Sequence, residues 1–180
     1  QLLSLARAES GSTHIARSPC NLVTLVSDVL QDSLPRAMDK HIDLGYEGVD
    51  AASTGVRING NPTLLTELVR NLVDNAINYT PSTAEQPGVI TVRLLSDKFG
   101  KVAVLQVEDS GPGIPEAERD LVFQPFYRAL GTGAEGSGLG LPIVMEIAHQ
   151  HDATVVLEDA APGKPMPGAR FTVRFSNALL

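Results

Sequence analysis

The sequence predicts an α/β two-layer sandwich: a mixed, mostly antiparallel sheet covered on one face by helices. Strand and helix patterns are intermixed without the regular βαβ alternation of a parallel sheet. Two apolar, β-rich runs, 89–95 and 102–107, adjoin across a break at 96–101 that contains Gly100 and suits a hairpin. Apolar residues recur at helical spacing around 21–40, 61–81 and 139–150, and each such stripe needs a surface to cover.

The composition suits that architecture. A chain of 180 residues with 43% hydrophobic and 19% charged residues can build one domain with a real core. The net charge of −7 argues against non-specific binding to nucleic acid or an anionic membrane. A single cysteine, Cys20, excludes an internal disulfide framework and is expected to be inert. No apolar run approaches the roughly 20 residues that span a bilayer. The chain starts at Gln1 within a helical pattern, so it reads as a piece of something longer.

Residues 1–9 look like a helix end, and 10–19 are a Ser, Gly and Pro-rich linker or turn. The helix from Asn21 to about Lys40 has Leu22, Leu25, Val26, Val29 and Leu30 on one face; Pro35 is expected to kink it or end it early. Ile42, Leu44 and Tyr46 alternate as a strand, and Val56 and Ile58 make a second short one.

The helix over 61–81 has two distinct faces. Asn61 suits the N-cap, Pro62 the first helical position, and Pro81 stops it. Leu64, Leu65, Leu68, Val69, Leu72, Val73, Ala76 and Ile77 form the core face. Glu67, Asn71, Asn75 and Asn78 stack along the other. An asparagine stripe is unusual in a helix interior, although a solvated polar face is its ordinary explanation.

Residues 108–141 are long, glycine-rich and partly helical over 116–122, and a loop of that length is usually a lid or binding loop. A helix from Leu139 to about Gln150 and strands over 154–157 and 171–175 complete the chain, with a Pro and Gly-rich hairpin loop at 160–168. His41, His149 and His151 are expected to be structural or surface residues.

Two glycine boxes carry the chemistry. Asp109-Ser110-Gly111-Pro112-Gly113-Ile114-Pro115 follows a buried strand, where a carboxylate can accept from a ligand amino group. Its glycines permit a sharp turn and close approach, though a plain tight turn reads the same way. Gly136-Ser137-Gly138-Leu139-Gly140-Leu141 opens a helix, where backbone amides attract phosphate. It is no Rossmann fingerprint, since a long loop rather than a strand precedes it.

In order, an Asn-rich helix, DxGxG after a strand, Phe123-Gln124-Pro125-Phe126-Tyr127-Arg128 and GxGLGL resemble the catalytic ATP-binding domain of bacterial sensor histidine kinases. Gyrase, the ninety-kilodalton heat-shock chaperone and the MutL-type repair proteins share that Bergerat-type fold. The resemblance covers roughly 20–176 and implies a division at 1–19, the end of a dimerisation and phosphotransfer hairpin plus linker, and 20–180, the kinase domain. It implies ATP and Mg²⁺ as ligands. It implies that Asp109 accepts the adenine amino group, that Asn75 gives an amide oxygen to Mg²⁺, and that Asn71 and Asn78 bond phosphates or their waters. Many relatives carry Lys or Arg where Asn78 stands.

Tyr79, Ile114, Leu139 and Leu141 would pack around the base, with Gly111 and Gly113 shaping the pocket. Gly136, Ser137, Gly138 and Gly140 would form the phosphate-facing loop, and Thr172 would reach the adenine through water. Arg128 would approach the γ-phosphate, and Pro125 replaces another arginine common in the family. Asn71 and Arg128 are the implied catalytic positions. The hydrolytic relatives have a glutamate base where Asn71 stands, and an amide cannot take a proton from water. This favours phosphoryl transfer to a histidine; an ATP-hydrolysing switch or a serine kinase of the same fold are the alternatives.

The implied partners are the upstream hairpin domain and a response regulator, with no nucleic acid. The parent is expected to be a homodimer in the bacterial inner membrane, and this piece cytoplasmic and monomeric. His14-Ile15-Ala16-Arg17-Ser18-Pro19 echoes the phosphoacceptor box, but Ile15 replaces its acidic residue, so His14 is not expected to be the acceptor.

Overall fold

The computed structural model describes residues 15–49, 56–127, 140–176 and 178–179. The helix end read at 1–9, His14, Arg128 and the glycine box over 136–139 lie outside the described residues.

Among the described residues the main sheet has five strands: β2 (Asp43–Gly48), β4 (Val89–Asp97), β5 (Val102–Asp109), β6 (Ala153–Asp159) and β7 (Ala169–Phe175), in the order β2-β4-β5-β7-β6. β2 runs parallel to β4, and every other pairing is antiparallel. Strands β1 (Ser18–Asn21) and β3 (Arg57–Gly60) form a separate antiparallel ribbon with Cys20 opposite Ile58. The expected strand at 56–58 therefore pairs outside the main sheet. Ser18 and Pro19, read as linker, are ladder residues. Tertiary pairing overrides local turn propensity there, and proline is tolerated because among the described residues β1 pairs on one side only, with β3.

Helix α1 (Leu22–Asp39) is capped by Asn21, whose Oδ1 accepts from the Val23 amide at 3.0 Å. It continues past Pro35 rather than ending early. Pro35 and Gln31 are both exposed, so the carbonyl that loses its donor can reach water. Helix α2 (Pro62–Tyr79) is capped by Asn61 through Leu64, at 3.0 Å, and buries Leu65, Leu68, Val69, Leu72, Val73, Ala76 and Ile77. Lys40 Nζ donates to the Ile77 carbonyl at 2.6 Å, which serves the unpaired end of α2. Helix α3 (Gly140–Gln150) buries Leu141, Ile143, Val144, Ile147 and Ala148. The helical stretch expected over 116–122 is two 3₁₀ turns, Glu116–Glu118 and Leu121–Phe123.

Strand alternation separates two faces. Ile90, Val92, Leu94, Leu105, Val107, Phe171 and Val173 are buried beneath the helices. The other face carries a charge ladder: Arg93 bonds Glu47 at 2.8 Å and Glu108 at 2.7 Å, and Arg170 bonds Glu108 at 2.9 Å. Burial raises the Glu108 carboxyl, but the bonds from Arg93 and Arg170 outweigh it and hold the group below the ordinary carboxylate range.

Candidate functional site

Asp109 ends the inward row of β5, and its side chain is buried at 9% exposure. Its Oδ1 accepts from the Gly111 amide at 2.9 Å and the Ala169 amide at 3.2 Å. The Gly168 amide donates back to the Gly111 carbonyl at 2.9 Å. The end of β5 and the start of β7 are thereby tied across one carboxylate oxygen. Gly168 has φ +70°, and a Cβ there would lie 2.0 Å from the Asp109 carbonyl oxygen. Only glycine fits both the backbone conformation and the contact.

Burial pushes the Asp109 carboxyl up; the two backbone donors pull it back, and Glu108 adds repulsion. Both hydrogen bonds fall on Oδ1, so among the described residues Oδ2 has no donor. Oδ2 is not among the buried side-chain atoms that lack a partner, so it keeps contact with solvent and can accept from a ligand N–H in place of water.

The C-terminal end of α2 backs this turn. A Cβ on Gly111 would meet the Tyr79 carbonyl at 3.0 Å and the Thr80 Cα at 3.6 Å. Thr80 is itself buried, and its hydroxyl has no partner among the described residues. At the other end of the stripe, buried Asn71 donates from Nδ2 to the Glu67 carbonyl at 2.9 Å. A Cβ on Gly140, the first residue of α3, would lie 3.3 Å from Asn71 Oδ1. The stripe thus runs from the start of α3 to the Asp109 turn, about 12 Å along the helix axis.

Between these ends, Asn75 is half-buried, and among the described residues its side chain makes no hydrogen bond. Asn78 Oδ1 accepts from Arg36 Nη2 at 2.9 Å, and Arg36 Nη1 bonds Asp74 at 2.7 Å. Half-buried Ile114 packs against the core, and its carbonyl accepts from Arg119 Nε at 3.1 Å while Arg119 also bonds Asp159 at 3.0 Å. Phe123 packs edge-on against Phe171 with ring centroids 6.2 Å apart, and the Tyr127 hydroxyl bonds Glu118 at 2.6 Å.

The structure therefore brings together Asp109, Gly111, Gly113 and the end of α2 at Tyr79, while Ile114 packs against the core. It puts Asn71 beside Gly140, with Leu141 in the core. It does not bring Thr172 to them. The Thr172 hydroxyl accepts from Gln106 Nε2 at 3.2 Å on the ladder face, opposite to Asp109. The β7 residue beside the carboxylate is Ala169. Strand parity with buried Phe171 already separates the two positions. Gly168, Ala169 and Arg36 escape sequence reasoning. The first two sit at the end of an ordinary-looking hairpin loop, and Arg36 lies on an exposed face of a different helix.

Residues 60–179 match the family model described as histidine kinase-, DNA gyrase B- and HSP90-like ATPase. The chain is 37% identical over 165 residues to the sensor protein kinase PmrB of Pseudomonas aeruginosa, covering 91% of this chain and 32% of that protein. It is 38% identical over 149 residues to the histidine-protein kinase/phosphatase MprB of a Mycobacterium species, covering 82% of this chain and 27% of the relative. The chain thus spans a third or less of the curated relatives it matches. A solved structure of the mycobacterial sensor histidine kinase MprB superposes with a TM-score of 0.76 at 28% identity, over 89% of this chain and 97% of that one.

Proposed function

The chain belongs to the histidine kinase-, DNA gyrase B- and HSP90-like ATPase family, and from that premise we propose that it is the ATP-binding catalytic domain of a sensor histidine kinase. One observation carries the reading. A buried carboxylate with one oxygen tied to backbone and the other without a donor among the described residues stands at the end of a polar helix stripe whose far end meets Gly140 of α3. The free oxygen suits an adenine amino group. The amides at the start of α3 suit phosphate.

The residues present also fit Mg²⁺. Asn75 offers an amide oxygen that no described neighbour uses, and Mg²⁺ commonly takes few protein ligands together with substrate phosphates and water. That ion would neutralise phosphate charge when bound. Asn71 and Asn78 would contact phosphates, and Tyr79, Ile114 and Leu141 the base. Arg128, Gly136, Ser137, Gly138 and Leu139 join this site on the strength of the sequence motifs.

Phosphoryl transfer is favoured over hydrolysis because position 71 holds no base. The Asn71 amide is buried and already engaged with the Glu67 carbonyl, and an amide takes no proton from water. The phosphoryl group would pass to a histidine on an upstream helical hairpin and then to a response regulator. Among the described residues no helix is long and apolar enough to cross a membrane; membrane insertion belongs to the proposal for the parent protein.

The test is incubation of this chain with γ-labelled ATP and the separately supplied hairpin domain of its parent. The expected result is an acid-labile phosphate on the hairpin and none on His14. Hydrolysis as fast as in the gyrase-type relatives, without transfer, would refute the kinase reading.

A further inference from the structure

The asparagine stripe has no cation of its own at Asn78. The structure supplies one from another helix. Arg36 of α1 donates through Nη2 to Asn78 Oδ1 at 2.9 Å and through Nη1 to Asp74 Oδ1 at 2.7 Å. We propose that Arg36 is a positioning residue for the phosphate chain of the nucleotide. It sets the orientation of the Asn78 amide and cancels the Asp74 carboxylate beside it. The inference rests on the ATP-binding reading and adds to it a residue on an element outside the motifs.

Three steps carry it. A guanidinium has only donors, so the atom of Asn78 that faces Arg36 must be the amide oxygen. The carboxamide is planar, so holding Oδ1 towards Arg36 fixes the plane of the amide and turns its NH₂ away from the guanidinium. Asn78 shares its helix face with Asn71 and Asn75, whereas α1 approaches from the Asp74 side.

The second contribution is electrostatic. Asp74 directly precedes Asn75, and an uncompensated carboxylate there would repel a polyphosphate. The fork geometry of arginine allows one side chain to serve both acceptors. The Arg36 side chain is 49% exposed, so solvent and salt screen the pair and the expected effect is moderate.

The experiment compares Mg-ATP with adenosine, which lacks phosphate, by calorimetry and by competition, with thermal melts of each variant. Arg36→Gln should weaken Mg-ATP about three- to tenfold and leave adenosine unchanged. Adding Asp74→Asn should return part of that loss, because the repulsion goes with the carboxylate. Arg36→Lys should give a smaller loss that is still confined to Mg-ATP, since an ammonium cannot span both acceptors as a fork does; this variant also serves if Arg36→Gln unfolds. Equal losses for Mg-ATP and adenosine would make Arg36 merely structural and overturn the proposal. So would unchanged Mg-ATP affinity in a folded variant. If the unaltered chain binds no Mg-ATP at all, the ATP reading fails and this inference with it.

Discussion

Two junctions of this molecule are built alike and end differently. At one, buried Asp109 ties β5 to β7 beside a glycine that tolerates no side chain. At the other, buried His151 ties the end of α3 to the start of α2. Its Nε2 accepts from the Asn61 amide at 3.0 Å, and its Nδ1 lies 2.8 Å from the Ile147 carbonyl. Gly60 packs against that ring, where a Cβ would meet His151 Cδ2 at 2.9 Å. Burial shifts both groups towards their neutral forms, Asp109 upward and His151 downward. The difference is completeness. Each imidazole nitrogen has a partner that suits one neutral tautomer, whereas among the described residues one Asp109 oxygen has none. Burial and a perturbed pKa mark structural and binding groups equally; the acceptor left open to a ligand separates them.

The glycines give the sharpest separation. Gly168→Ala should cost both stability and nucleotide binding, because φ +70° is strained for a side chain and the Asp109 carbonyl lies 2.0 Å from the new Cβ. Left-handed strain alone is about 1–2 kcal/mol, or roughly 2–8 °C in Tm for a chain of this size. Gly60→Ala should lower Tm while leaving ATP affinity intact in the folded protein. Melting curves and calorimetry on both variants test the contrast; a Gly168→Ala protein that binds ATP normally would break it.

Asp109→Asn comes next. The new amide keeps an oxygen for the Gly111 and Ala169 donors but turns an NH₂ towards a ligand that also donates. ATP affinity should fall about tenfold or more. Stability should move the other way. A folded pKa raised above the unfolded value contributes stability that is present below about pH 3.9 and lost as pH rises through the folded pKa. Once that contribution is lost, the buried carboxylate is a cost to the free fold, and the neutral amide should raise Tm. A variant that both loses ATP and melts lower would assign Asp109 a structural role.

His151 predicts a pH effect of opposite sense. Its folded pKa is lowered, so its contribution to stability is complete above about pH 6.5 and is lost as pH falls towards the folded value. Protonation would put an Nε2–H against the Asn61 N–H. Urea unfolding between pH 7.5 and 5 should show declining stability, with a shallower slope in His151→Gln. An unchanged slope in the variant would remove His151 as the source.

Much of this was legible in the chain, for identifiable reasons. The stripe at Asn71, Asn75 and Asn78 and the turn at Asp109, Gly111 and Gly113 are local patterns, because one helix or one turn fixes them. The core face of α2 follows from periodicity alone, and β4 and β5 are legible as strands from their apolar, β-rich runs. Less legible were features made by distant segments. Ser18–Asn21 become a strand because Arg57–Gly60 lie alongside. Arg36 reaches Asn78 only because α1 packs on α2. Gly168 matters because Asp109, far earlier in the chain, folds against it.

The smallest expected effect tests the sidedness of the sheet. Sequence resemblance assigned Thr172 to the adenine, but in β7 it pairs with Gln106 on the ladder face, while Ala169 stands next to the buried carboxylate. Thr172→Val removes one half-buried hydrogen bond and substitutes a residue that suits strands equally well. Its cost should stay within about 1 kcal/mol, and ATP affinity should not change. Ala169→Val adds two methyl groups on the helix-facing side, where Ala169 is 4% exposed, and should weaken ATP through crowding of the Asp109 turn. Paired calorimetry on the two variants decides which face of β7 meets the base. A loss of ATP affinity in Thr172→Val, with Ala169→Val unaffected, would mean that the nucleotide contacts the opposite side of the strand from the one Asp109 occupies.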